Sequence, residues 1–180
     1  MKPQLFVAAA ALFSLPVLAQ DAPQPEAPSA SSMALVTDPQ QFADLAGVAN
    51  LFEIESSNVA LEKAQPEDLR AFAQQMVDDH TAAGEKMKAA AEEAGVTVPT
   101  ALDAEHQAKL DQLNEASAEE FDELYATMQV EAHQKAVSLF EGFAESGEEG
   151  TLVTFAQETL PTLQEHYDHI TGLAGQRPIA

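Results

Sequence analysis

Cysteine is absent from this chain of 180 residues and bases are scarce: eight lysines and arginines stand against thirty acidic residues, a formal charge of −22. The first absence excludes a disulfide framework, a thiolate metal site, a lipid-anchoring cysteine and covalent c-type haem. The second disfavours nucleic acid and anionic lipid surfaces as partners, because the chain repels both. Beyond Leu18 no apolar run approaches the roughly eighteen residues of a membrane-spanning helix. There is no glycine-rich phosphate loop, no nucleophile elbow, no interleaving of aromatic and basic residues, and no repeat of about 20 to 50 residues. What is present is 46% hydrophobic residues, enough for one globular core held together by packing.

The chain opens on Lys2 and an apolar run from Leu5 to Leu18, with Val17-Leu18-Ala19 before a cleavage point. This predicts a secretory signal over residues 1–19 and a periplasmic or secreted mature protein with no membrane span. Residues 20–37, with Pro23, Pro25 and Pro28 among alanines and serines, carry no sustained apolar period and read as a flexible tether. The folded domain is expected over 38–175, followed by a short tail, 176–180.

Asp38-Pro39 is an N-cap followed by proline at the first helical position, and the helix it starts ends before Pro66. Its core stripe is Phe42, Leu45, Ala49, Phe52, Ser56 and Val59, with Glu53 about 70° off the stripe's centre beside Ala46, Ala49 and Ala60. The second helix carries Leu69, Ala73, Met76, His80, Ala83, Met87, Ala90 and Ala94 in one alternating seam and stops at Gly95. A link this short makes the two an antiparallel hairpin. Residues 95–116 read as a crossover with a short amphipathic helix bearing Leu102, His106, Leu110 and Leu113. Ser117 and Glu120 form a capping box that opens the third long helix. Its rows are Phe121, Tyr125, Met128, Ala132 and Leu139, and beside them Ala126, Gln129, His133, Ala136, Phe140 and Phe143. The last seam, Leu152, Ala156, Thr159, Leu163, His166, Ile170 and Leu173, runs through Pro161, which should bend its helix rather than end it. The fold expected is all-α: an antiparallel four-helix bundle whose crossover carries a short extra helix.

Three of these seams hold one histidine each: His80, His133 and His166. Measured from the first hairpin turn, Glu53 lies roughly 17 Å along its helix, His80 and His133 roughly 23 Å and His166 roughly 13 Å. Helix tilt and stagger must close that spread. Three imidazoles and one carboxylate form a common shell for a single ion such as zinc, copper or iron. Glu53, His80, His133 and His166 are therefore the candidate metal ligands. The competing reading makes each imidazole a core residue bonded to a carbonyl, carboxylate or water. Of the rest, His106 is expected to pack, His169 to pair with Glu165 in solvent, and Met76 and Met87 to fill the core. Asp78 and Asp79 should face outward, one of them able to orient an imidazole.

These residues also resemble a family. Asn50-Leu51-Phe52-Glu53-Ile54-Glu55 with Ala60-Leu61, Phe72-Ala73 with Met76-Val77 and Asp79-His80, Phe121-Asp122 with Tyr125, Gln129-Val130 and His133, and Leu160-Pro161 with Leu163 and His166 carry the likeness. It is to the exported domain of unknown function family 4142, placed among the ferritin-like four-helix proteins, and it covers Asp38 to about Gly175. The resemblance implies a ferritin-like bundle in the periplasm, with Glu53, His80, His133 and His166 as characteristic polar positions and no settled activity. A di-iron site of the ferritin class needs Glu-x-x-His on two helices, yet Val77 stands three residues before His80 and Leu163 three before His166. Ferroxidase, oxygenase and iron-storage chemistry are not expected, and no nucleophile or substrate pocket points to an enzyme. Two functions follow: an exported protein binding one transition-metal ion, or a non-enzymatic structural or interaction module of the envelope with a buried histidine hydrogen-bond network. Imidazole nitrogens converging within about 4 to 5 Å favour the first; separations beyond about 8 Å favour the second.

Overall fold

In a computed structural model, which describes residues 35–175, the Asp38 carboxylate accepts from the Gln41 amide and Pro39 opens α1, Pro39–Lys63. After Ala64-Gln65-Pro66 comes α2, Glu67–Ala94. Gly95, at φ 73°, closes it, with the Gly95 and Val96 amides donating to the Glu92 and Ala91 carbonyls, a left-handed cap suited to glycine. Asp103 caps the start of α3, Ala104–Glu115, and the Lys63 ammonium donates to the carbonyls of Leu113, Asn114 and Ala116 at its end. The Ser117–Glu120 capping box opens α4, Ala118–Ser146, and α5, Thr151–Gly175, continues through Pro161.

Two hairpins, α1–α2 and α4–α5, are joined by the crossover. The Gln65 amide in the first turn donates to the Asp122 carboxylate near the start of α4, while the Thr151 hydroxyl at the start of α5 donates to the Ala90 carbonyl near the end of α2. Helix α1 packs on α2 and α4, and α5 on the same two, with α3 against α1 and α4. Every neighbour in this ring is antiparallel, so the expected four-helix bundle with a crossover helix is what the chain forms. Among the described residues no helix is long and apolar enough to cross a membrane. The expected signal, nearly all of the tether and the tail lie outside the described residues. Val36, at the tether's end, is 7% exposed and belongs to the core, so packing begins before the Asp38 cap.

Two hydrophobic clusters fill the bundle. One, toward the first hairpin turn, includes Phe52, Leu69, Phe72, Met76, Phe121, Tyr125 and Ile170. The other includes Phe42, Met87, Phe140, Phe143, Phe155 and Leu163. His80, His133 and His166 each lie between members of the two clusters along their own helices, so a polar layer crosses the bundle where the clusters part.

Of the expected α1 stripe, Phe42, Phe52 and Ser56 are buried, but the buried face is wider and turned away from Leu45. Leu45 is 45% exposed and Ala49 and Val59 are half-buried, whereas Ala43, Ala46, Gly47, Glu53, Ser57 and Ala60 are buried. The helix is turned toward its small residues, which let neighbouring chain come close. A Cβ at Gly47 would stand 2.8 Å from Val98 Cγ1 and 2.9 Å from Pro99 Cδ, so the crossover rests on α1 there. On α2 the seam drifts: Ala91 is buried while Ala90 is half-buried and Ala94 exposed, the slippage of a straight 3.6-residue helix against a 3.5-residue repeat.

Candidate metal centre

The polar layer brings the three seam histidines together. Ring centroids are 5.7 Å apart for His80–His133, 5.6 Å for His80–His166 and 5.5 Å for His133–His166, a nearly equilateral triangle. One nitrogen from each ring can be chosen so that all three lie within 4.8 Å of one another. The rings are 6%, 1% and 1% exposed in chain order. The cavity they line has a volume of about 40 Å³, against the roughly 10–15 Å³ that one water requires.

The outward nitrogens fix the state of the inward ones. His133 Nδ1 donates to the Gln129 carbonyl at 3.0 Å, an acceptor with no proton to return. His166 Nε2 donates to the Asp79 carboxylate at 2.9 Å, and His80 Nδ1 to the Asn50 side-chain carbonyl at 3.0 Å. In a neutral imidazole the other nitrogen is then a lone-pair acceptor. His80 Nε2, His133 Nε2 and His166 Nδ1 are all buried without a hydrogen-bond partner. None can donate to another. Each unsatisfied buried acceptor costs about 1–3 kcal/mol, so the arrangement favours an electrophile at its centre.

Electrostatics agrees. Burial pushes the His80 imidazole well below the ordinary histidine value, and the His133 and His166 rings push the same way. Burial also lowers His166, against the raising influence of the Asp79 carboxylate. Both shifts favour the neutral form of His80 and His166, and outer partners of these types orient metal-binding histidines.

Glu53 occupies a different place. It is 4% exposed and lines the same cavity, with Oε1 3.9 Å from His133 Nδ1, the outward nitrogen, and Oε2 without a partner. At that distance the pair is in proximity without a hydrogen bond. Burial raises the Glu53 carboxyl above its ordinary value, with His133 and the Gln129 side chain pulling the other way. Below it a buried polar chain links Gln129 to the Ser56 hydroxyl, while the Ser57 hydroxyl pairs with the Tyr125 phenol at 2.8 Å.

Register along the helices accounts for these positions. His80 lies 13 residues into α2 and Asn50 lies 13 residues before the end of α1, so the residue level with His80 is Asn50, and Glu53 falls nearly one turn nearer the hairpin. His133 lies 13 residues before the end of α4 and His166 lies 15 residues into α5, roughly 20 and 22 Å from their shared turn. The 10 Å offset expected for His166 came from measuring it against the far hairpin.

Asn50 and Gly84 escaped the sequence reading as site residues. A Cβ at Gly84 would stand 2.9 Å from Asn50 Nδ2, so glycine makes room for the amide that orients His80. The available signal was the level register of Asn50 and His80. Asp79 does orient an imidazole, as one of the two aspartates was expected to, but the ring is on α5. His106 packs against Phe52 at 5.4 Å and pairs with Asp103, and exposed His169 sets its ring against Phe72. Met76 and Met87 are core residues, and Met87 also lines the cavity.

The fold and site define a four-helix bundle with a buried triad of convergent imidazoles. The chain belongs to the family described as Domain of unknown function (DUF4142), which matches residues 24–173. No curated protein matches it. Among solved structures it is similar to a DUF305 fragment from Deinococcus radiodurans, with a TM-score of 0.67 and 16% identity over 78% of this chain and 99% of that one. It is also similar to CopM in a Cu(II)-bound form (TM-score 0.63, 18% identity, 76% of this chain and 95% of that one). The Ag-bound form of CopM gives a TM-score of 0.61 and 19% identity over 76% and 94% of the two chains. At these identities the likeness is one of fold.

Proposed function

We propose that this protein is an exported binding protein that holds one transition-metal ion on His80, His133 and His166. The observation that carries the proposal is the convergence of three buried imidazole lone pairs whose opposite nitrogens are all engaged. The residues fit the group. With metal–nitrogen bonds of ~2.0 Å, three imidazoles on one ion place their ring centres roughly 5.2–5.5 Å apart, close to the 5.5–5.7 Å of the metal-free triangle. A network of side chains alone would leave lone pair facing lone pair.

Imidazole donors suit zinc, copper and iron. Copper leads this set because a protein of the same fold, CopM, is described in Cu(II)- and Ag-bound forms. Glu53 stands beside the triad as the buried carboxylate that balances the ion's charge. A bound ion with an open position would supply Lewis acidity. The chain's own residues supply the binding: three imidazole donors, their orienting partners, and apolar layers on either side. Lys2, the apolar run to Leu18 and Ala19 support export to the periplasm.

The test is to purify the secreted protein without tag or chelator and measure its metal content and its melting with added Cu(II), Zn(II) or Fe(II). One equivalent is expected. At free ion one hundred times Kd the stabilisation is about 2.7 kcal/mol. His80→Gln, His133→Gln and His166→Gln should each abolish the shift. A folded sample with neither bound ion nor shift refutes the reading.

A further inference from the structure

We propose that a divalent cation reaches the triad between α2 and α5, and that Asp79 admits it, attracting the ion at the surface while holding the His166 ring that receives it. This rests on the metal-binding reading above and adds to it a route and a positioning residue.

The three rings are at most 6% exposed, so an ion needs a path to them. Two carboxylates line their cavity. Glu53 is buried at the α1 side, whereas the Asp79 side chain is 43% exposed and its Oδ2 is 2.9 Å from His166 Nε2. One end of Asp79's environment is therefore bulk water and the other is a ring of the triad. The neighbouring wall is made of short, half-buried side chains: Ala83 on α2, and Thr159 and Thr162 on α5. Between those threonines Pro161 removes one rung of the α5 hydrogen-bond ladder. Two other approaches are obstructed by larger side chains. Met87, Phe140, Phe155 and Leu163 close the cavity toward one apolar cluster. On the α1–α2 side the Asn50 amide occupies the gap, bonded to His80 and seated over Gly84.

A carboxylate at the mouth of a low-dielectric cleft concentrates cations and raises association rates, an effect that salt screens. Because Asp79 accepts from Nε2, His166 presents Nδ1 to the cavity, so the same residue attracts the ion and aims its acceptor.

The experiment is stopped-flow mixing of the full-length secreted protein with Cu(II), read by quenching of the two tyrosines in a chain without tryptophan. Asp79→Asn keeps an acceptor for His166 Nε2 and loses the charge. Its association rate should fall severalfold at low salt, with a shallower salt dependence than that of wild type or Glu119→Gln and dissociation little changed. Asp79→Ala also loses the hydrogen bond, so dissociation should rise and affinity fall about 10–100-fold. Asp79→Glu should restore the salt dependence, and Glu119→Gln, an exposed acid in the first turn of α4, controls for net charge. If the Asp79 variants do not fold, Ala83→Leu tests the route by bulk, and association and dissociation should slow together. Wild type that binds Cu(II), with Asp79→Asn or Ala83→Leu matching its rates and salt slope, overturns the route alone. Wild type that takes up no Cu(II) overturns the metal reading and the route with it.

Discussion

Asn50 and Glu53 lie on the same flank of α1, and the two residues between them separate two roles. Asn50 meets the outward nitrogen of His80, while Glu53 meets none of the inward nitrogens and keeps an unpartnered oxygen in the cavity. A buried carboxylate without a counter-charge is a cost to the metal-free protein. Glu53→Gln should therefore raise the melting temperature of the metal-free form at pH 7 and lower its affinity for Cu(II), checked by calorimetry and titration on one sample. The histidines set a pH dependence with a definite sign. Folding depresses His80 and His166 below their ordinary 6.5, so below about that pH the unfolded chain binds more protons and stability is lost as pH falls. Glu53 opposes this, because its raised folded value favours the folded state as pH falls toward 4.5. Melting of the metal-free protein should decline from pH 7 to pH 5, and decline more steeply in Glu53→Gln.

At the scale of elements, two glycines of the same hairpin do different work. Gly95 ends α2 at φ 73° with open space around its absent Cβ. Gly95→Ala should cost about 1–2 kcal/mol through the backbone alone and leave metal affinity unchanged. Gly84 lies inside α2, where alanine is preferred by roughly 0.8–1.0 kcal/mol, but the added Cβ meets the Asn50 amide. Gly84→Ala should change metal-free melting little, the helix gain offsetting the lost His80 hydrogen bond, while weakening Cu(II) binding about tenfold, because His80 loses its orienting partner. Equal affinity in Gly84→Ala and wild type would show that Asn50 does not position the ring. The rotation of α1 belongs to this scale too. The buried face keeps Phe42, Phe52 and Ser56 and turns toward Ala43, Ala46 and Gly47, where the crossover comes close, leaving Leu45 exposed.

The whole molecule carries a charge of −22 and holds its three seam histidines between two apolar clusters. Self-repulsion of that size is screened by salt. Raising NaCl from about 10 to about 150 mM should raise the metal-free melting temperature by a few degrees, the equivalent of about 1 kcal/mol, while slowing the association of Cu(II). The same field that weakens the fold draws cations toward it.

The helices, their caps, the two hairpins and the identity of the three seam histidines were legible in the sequence alone. Periodicity, the Asp38 and Ser117 caps, Gly95 and the short links are local properties that each segment carries with it. The tertiary structure alone decided which face α1 buries, that Asn50 and not Glu53 stands level with His80, and that Asp79 binds a ring 87 residues away. It also decided that three nitrogens face inward with no partner. Those outcomes depend on stagger and rotation between helices. Packing at every contact sets these together, and no single helix encodes its own register against the others.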